Sequence, residues 1–250
     1  MIALIDIGNT NTHIGLSNGE KIIKRFEIQT AHWFNEKSGY RNLFPQKIEA
    51  AIIDSVVPKS IPHVVSIIKS NYNFSPFILK YSNAPINFNY PHPETIGADR
   101  IANCVAALHI YGAPSIVVDF GTAVTIDIIN ANGLFEGGVI LPGINLMTAY
   151  LSEKTALLPK VKLRSFKKPY GKNTEQAILA GLNTGFSGMI DTIIKTVMSE
   201  MNLKKPSIIA TGGYAEIIAK QMRFFTHRDK NLTLMGLLIT YNNLKNSQRK

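Results

Sequence analysis

The apolar positions of this chain fall into short runs that stop at carboxylates and glycines. Residues 2–5 are apolar and lead into Asp6. Gly8 and Asn9 follow, and alternation then runs through Thr12, Ile14 and Leu16. This pattern predicts strand, tight turn, strand. The same grammar returns nearly half a chain later. An apolar run from Ser115 ends at Asp119, a turn follows at Gly121, and alternation resumes through Val124, Ile126 and Ile128. Asp6, Gly8 and Thr10 are echoed by Asp119, Gly121 and Ala123. Two copies imply two similar half-domains, expected at residues 1–114 and 115–250.

The segments between these hairpins read as alternating strands and helices. Residues 20–28 alternate as a third strand, and residues 30–46, which have no clear period, read as loop or short helix. Residues 50–58 form a buried strand closed by Pro58, and residues 60–71 a helix with Ile61, Val64, Val65, Ile67 and Ile68 on one face. Residues 77–81 make a short strand. Pro91 and Pro93 stiffen the approach to a helix that carries Ile101, Val105 and Leu108 and stops at Gly112. Residues 135–143 are a glycine-rich strand and turn. A long helix is expected from Thr174, with Ile178, Leu182, Phe186, Met189, Ile193, Val197 and Met201 as its stripe. Gly181, Gly185 and Gly188 lie along it. Interior glycines are costly in a helix, so a close neighbour is expected there, another helix across a dimer. Last, residues 206–211 form a strand entering the Gly212–Gly213 turn, with helix over 215–222 and a frayed polar tail after Tyr241. Strands followed by helices define an α/β class.

The first candidate chemistry lies in the hairpin turns. A carboxylate at the mouth of a Gly-Asn-Thr turn can offer oxygen to Mg²⁺, while the turn offers N–H groups and hydroxyls to phosphate. A plain hairpin with Asp6 capping its turn is the simpler alternative. The second copy at Asp119 shifts the balance toward function. Asp99 falls in the first turn of its helix, where a carboxylate complements the helix dipole. Arg100 beside it has the fork geometry to grip a carboxylate or phosphate. The Gly212–Gly213 turn could let a flat ring lie on the backbone, although an ordinary β–α turn has the same pattern.

Composition narrows the classes. The 250 residues carry 27 Lys and Arg against 17 Asp and Glu, a net charge of +10, which suits an anionic partner. Lys154, Lys160, Lys162, Arg164, Lys167, Lys168 and Lys172 supply much of it, with only Phe166 and Tyr170 as aromatics among them. That is thin for nucleic-acid stacking, so the stretch reads as a solvated loop and no nucleic acid is expected. The one cysteine, Cys104, sits in an apolar helical pattern; it excludes an internal disulfide and fits the cytoplasm. No leader pattern and no apolar run of about 18 residues appear, so no membrane is expected. Walker-type loops, dinucleotide fingerprints, zinc spacing and a nucleophile elbow are also missing.

The two Asp-Gly-Thr hairpins and the late Gly-Gly turn resemble the actin-like ATPase superfamily of sugar kinases, actin and heat-shock chaperones. Within it, residues 6–11, 55–58, 97–100, 119–123, 137–143, 171–174 and 211–213 resemble the motifs of the type III pantothenate kinase family, in order and at family spacing. The resemblance implies an α/β fold of two actin-like (ribonuclease H-like) half-domains with a nucleotide cleft between them. It implies ATP-dependent phosphorylation of pantothenate to 4′-phosphopantothenate, the first step of coenzyme A biosynthesis. By the same resemblance Asp6, Ile7, Gly8, Asn9, Thr10, Asn11, Thr12, His13 and Thr122 hold the ATP phosphates, with Asp6 also on Mg²⁺. Asp99 would be the general base. Tyr90, Gly97, Ala98, Asp99, Arg100 and Thr174 would line the pantothenate site, and Asp119 would bind K⁺ or ammonium. A homodimer is implied, with both subunits at the pantothenate site.

Three departures stand out. Val124 replaces a common Thr, Met235 replaces a common Lys or Glu in a strand-like last segment, and residues 30–48 are short for the family. The competing readings are a non-enzymatic regulatory accessory factor of the same fold and a kinase for another small hydroxy acid.

Overall fold

The computed structural model describes residues 1–34, 44, 47–219 and 222–247. In chain order these form β1 (Ile2–Ile7), β2 (Asn11–Ser17), β3 (Ile22–Gln29), β4 (Ala50–Ser55), α1 (Ser60–Tyr72), β5 (Phe77–Ile78), β6 (Asn87–Phe88) and α2 (Ala98–Ala106). A wider π turn, Ala107–Tyr111, follows α2. Next come β7 (Ser115–Phe120), β8 (Ala123–Ile129), β9 (Leu134–Pro142), α3 (Ile144–Lys154), α4 (Thr174–Ala180), α5 (Phe186–Glu200), β10 (Ser207–Thr211), α6 (Ala215–Ile218), β11 (His227–Arg228) and α7 (Leu232–Ser247). They divide into two units, residues 1–110 with 231–250 and residues 111–230.

In the first unit the strands run β3-β2-β1-β4-β5. β1, β2 and β3 pair antiparallel through tight connections, whereas β1, β4 and β5 pair parallel, as strands separated by crossovers must. One face buries Ala3, Ile5, Ile7, Ile14, Leu16 and Ile53 against Val64 and Ile68 of α1. Side chains alternate along a strand, so Leu4, Asp6, Ile52 and Asp54 belong to the other face. On that side α7 packs on β1 and β4, and α2 packs on β4 and α7. The two helices touch backbone to backbone: a Cβ on Gly236 would lie 1.9 Å from the Ala102 carbonyl oxygen.

That contact explains a difference from the expected boundary. The sequence reading assigned all of residues 115–250 to the second half-domain, but residues 231–250 fold with the first unit. The expected strand-like segment at Met235 is the middle of α7. The expected frayed tail is helical to Ser247. Leu232, Leu234, Leu237, Leu238 and Tyr241 are all buried, so the helix is apolar nearly all round and carries no periodic signal.

In the second unit β7 to β11 run β11-β10-β7-β8-β9. β7, β8 and β9 are antiparallel, and β7, β10 and β11 parallel. Strand for strand this is the pattern of β1, β2, β3, β4 and β5, so the duplicated grammar of the sequence is a duplicated topology. Its core joins Val118, Phe120, Ile126, Leu182, Phe186, Ile190, Ile194, Ile208 and Ala210. α3 was not foreseen; it buries Ile144 and Thr148 but leaves Leu146 and Tyr150 exposed, which blurs its period. The basic stretch after α3 is irregular as expected, held by buried Val161 and Leu163 and by an Arg164–Glu175 ion pair of 2.9 Å.

The helix from Thr174 is α4 and α5 joined by a π turn at Gly181–Gly185. Residues 174–200 contain an 18-residue window of mean hydropathy 1.3, so the run is long and apolar enough to cross a membrane by length and composition. Leu182, Phe186, Ile190 and Ile194 from this run are core residues of the unit. Gly181, Gly185 and Gly188 have nothing within 4 Å of the Cβ each lacks, so the expected close neighbour is not in the described residues of this chain. α6 ends at Ile218, short of the expected 222, and residues 220 and 221 lie outside the described residues. Of the region expected to be loop or short helix, Thr30–Phe34 is a 3₁₀ turn, and 35–43, 45 and 46 lie outside the described residues.

Gly236→Ala should force α7 off α2 and destabilise the protein by about 1–3 kcal/mol, the usual cost of overpacking. The denaturant midpoint of folding measures it, and an unchanged midpoint would contradict the close contact.

Candidate active site

The first unit builds its candidate site where β1 ends. Asp6 is followed by a turn in which the Gly8 N–H donates to the Asn11 carbonyl at 3.1 Å. A Cβ on Gly8 would sit 2.9 Å from that oxygen, so the turn closes tightly only with glycine. The Thr30 hydroxyl donates to the Gly8 carbonyl at 2.6 Å, and the Thr30 N–H to the Thr10 carbonyl at 2.9 Å. A pinned loop therefore presents Asn9 and Thr10 to solvent. Ile7 and Thr12 point inward. The Thr12 hydroxyl receives the Trp33 indole N–H at 2.9 Å, which leaves only the backbone of these two residues for a ligand.

His13 faces Asp6 across the β1–β2 pair, Nδ1 to Oδ2 at 3.2 Å, and its Nε2 lies 3.4 Å from Glu27. The Asp6 hydrogen bond raises the His13 pKa above its ordinary value, partly opposed by burial. On the other side of β1, Asp6 is level with Asp54 of the parallel strand β4. Residues in register on parallel strands project from the same face. Asp54 is wholly buried, and among the described residues neither carboxylate oxygen has a hydrogen-bond partner. Burial, then the charges of Asp6 and Asp99, push its pKa well up, with its own backbone N–H a weak opposing pull.

Asp99 enters from the first turn of α2. Gly97 precedes the helix with extended ψ, and a Cβ there would lie 2.6 Å from Asp99 Oδ1, so glycine makes room for the carboxylate. The Arg100 N–H donates to Asp99 Oδ1 at 2.8 Å. Burial raises the Asp99 pKa most and Asp6 adds to it, while the Arg100 N–H and guanidinium oppose. Asp6, Asp54 and Asp99 are therefore one electrostatic cluster. Ala98 opens the same helix, and Tyr90 is 37% exposed on the loop before it.

In the second unit the equivalent turn carries Asp119 and Thr122. Gly212 has φ +90°, and a Cβ on it would lie 2.3 Å from Asp119 Oδ1 and 2.7 Å from the Phe120 backbone. Gly143 is pressed on the same turn, its missing Cβ 2.1 Å from the Thr122 carbonyl. Thr122 itself is exposed. Thr174 lies elsewhere in this unit, exposed at the start of α4, whose first turn is capped by Asn173 accepting from the Gln176 N–H at 2.9 Å.

Oxygen ligands for a divalent cation are present in the first unit. Asp6 has a partly accessible carboxylate, 13% exposed, and Asp54 has two oxygens without partners. Among the described residues no three acidic, histidine or cysteine side chains make a closed metal cage. That suits an ion that keeps water and phosphate ligands, as Mg²⁺ does. In the second unit the tight cradle of Gly212 around Asp119 leaves one carboxylate at a turn, a fitting donor for a cation of low charge.

Asp54 was missed by sequence reasoning. The signal was there: one carboxylate closing an otherwise apolar run, Ala50, Ala51, Ile52 and Ile53.

Duplicated strand topology and an aspartate at each β-turn define a protein of the actin-like ATPase and sugar kinase class. A solved structure of that class, provisionally described as a 2-dehydro-3-deoxygalactonokinase from Sinorhizobium meliloti, matches with TM-score 0.60 at 12% identity over 96% of each chain. The type III pantothenate kinase family profile matches residues 2–196. The type III pantothenate kinase of Halalkalibacterium halodurans is 34% identical over 96% of this chain and 98% of its own. That of Listeria monocytogenes is 35% identical over the whole of both. The chain belongs to the type III pantothenate kinase family, whose members are phosphotransferases of coenzyme A biosynthesis.

The His13–Asp6 bond makes a pH prediction. The folded state favours protonated His13, so its stabilisation is full below the unfolded pKa of about 6.5 and fades as pH rises through the raised folded value. The stability difference between wild type and His13→Gln should be larger at about pH 5.5 than at about pH 8.5. Urea unfolding at both pH values measures it.

Proposed function

We propose that the chain transfers the γ-phosphoryl group of ATP to the hydroxyl of pantothenate, giving 4′-phosphopantothenate, with Asp99 as general base. The observation that carries this is the placement of Asp99: at a helix start, half-buried, fixed by the Arg100 N–H, and beside Asp6. A carboxylate whose affinity for protons is raised is a better acceptor for a hydroxyl proton than an ordinary one. Phosphoryl transfer otherwise asks for positioning and charge stabilisation.

In this reading the Asp6–His13 turn and Thr122 hold the phosphates, with Mg²⁺ at Asp6. Asp119 binds K⁺ or ammonium. Tyr90, Gly97, Ala98, Arg100 and Thr174 line the acceptor site, where Arg100 pairs with the pantothenate carboxylate. The active form is a homodimer. The open face at Gly181, Gly185 and Gly188, and the exposed Leu146, Tyr150, Leu157 and Tyr170, support a partner surface on the second unit. The reaction belongs in the cytoplasm and calls for no membrane or nucleic acid.

ADP release from ATP and Mg²⁺ in K⁺ buffer should depend on pantothenate, with the phosphorylated product confirmed by mass. Folded protein that pantothenate does not stimulate would overturn the substrate. Asp99→Asn should keep the fold and lose about 10²–10⁴-fold in turnover, the usual weight of a general base. The wild-type rate should fall as pH drops through a pKa above the ordinary carboxylate value, because the base must be ionised. Replacing K⁺ by Na⁺ should lower the rate through Asp119, and equal rates would reject that cation site.

A further inference from the structure

Asp54 has no role in the scheme above, yet it is the most anomalous side chain in the first unit. It is fully buried, and both its oxygens are without a hydrogen-bond partner among the described residues. Buried polar groups nearly always have partners, and an exception calls for a missing water, ion or ligand. The fold does not demand a carboxylate here. β10 pairs with β7 as β4 pairs with β1, and the residue level with Asp119 is Thr211, where Asp54 is level with Asp6. An identical topology thus accepts a neutral side chain at the equivalent position. Asp54 also faces like charge, since Asp6 and Asp99 both act on it. A third carboxylate in such company must either hold a proton or be joined by something positive.

We infer that Asp54 is a second anchor for the divalent cation that accompanies the nucleotide, beside Asp6. The inference rests on the kinase reading and adds to it a residue. Asp54 would supply oxygen from β4 and Asp6 from the level position of β1, with phosphate and water as the remaining ligands. Two carboxylates plus substrate oxygens is a common way to hold Mg²⁺.

The test uses Mn²⁺ as probe, titrated calorimetrically into the full chain with a non-hydrolysable ATP analogue and no pantothenate. Asp54→Asn and Asp54→Thr should weaken Mn²⁺ binding by about 10–100-fold, the scale on which metal sites respond to loss of a supporting group. Binding of the analogue without metal should be unchanged. Wild-type Mn²⁺ affinity in folded variants would overturn the inference, as would a wild type that binds no Mn²⁺. Wild-type protein with ¹³C-labelled aspartate carboxyls asks the same question should neither variant fold. Mn²⁺ should broaden Asp54 together with Asp6, and a sharp Asp54 line beside a lost Asp6 line would reject the anchor. Product formation separates the two proposals. Phosphopantothenate made by a protein whose Asp54 variants bind Mn²⁺ normally would sink only the anchor. An Asp54-dependent Mn²⁺ site without that product would sink only the pantothenate reading.

Discussion

Asp6, Asp54 and Asp99 crowd together in the first unit, at the ends of two parallel strands and the start of one helix. Like charges so placed repel strongly, because burial lowers the dielectric that would screen them. The surrounding structure answers in part. His13 bonds Asp6, the Arg100 N–H bonds Asp99, and burial keeps protons on Asp54 and Asp99 more tightly than usual. A site under such tension is poised to take up positive charge or to accept a proton. Phosphoryl transfer from a metal nucleotide to a hydroxyl requires both capacities.

The duplicated topology sets one backbone in two different surroundings. Each unit ends its first strand with an aspartate before a tight turn. Around Asp6 the neighbours are ionisable: His13, Asp54 and Asp99. Around Asp119, Gly212 and Gly121 close on the carboxylate, and the residue level with it on the adjacent parallel strand is the neutral Thr211. The strands fix where the aspartate stands; the side chains on the adjacent parallel strand and helix decide what it does. This is why function is argued from the site and not from the fold.

Legibility in the sequence followed the same division. The hairpins, β4, α1, β7, β8 and β10 were readable, because apolar runs ending at Asp, Gly or Pro carry their own boundaries. α7 was not. It is buried on most sides, so its apolar residues show no period, and its partner α2 lies some 130 residues away in sequence. Local pattern cannot report a backbone contact between Gly236 and Ala102. Among candidate site residues, those in motifs were picked out by spacing and resemblance. Asp54 escaped because a carboxylate at a strand end looks ordinary until the neighbouring strand sets Asp6 level with it. Thr12 went the other way: it sits in the motif, but its hydroxyl serves Trp33.

Asp99 shows why such placement matters more than residue type. A first-turn aspartate on an ordinary helix is solvated, and its pKa drops toward the helix dipole. Here the helix start is pressed over the sheet, so burial and Asp6 raise the pKa while the Arg100 N–H and guanidinium lower it. The upward influences dominate, but the opposing hydrogen bond also fixes the carboxylate in direction. Gly97 is what allows that direction, since any side chain there would meet Oδ1. The Asp99 carboxylate is therefore tuned by burial, aimed by a backbone N–H, and given room by one missing methyl group. A change at Gly97 would therefore displace this carboxylate without altering the residue that carries it.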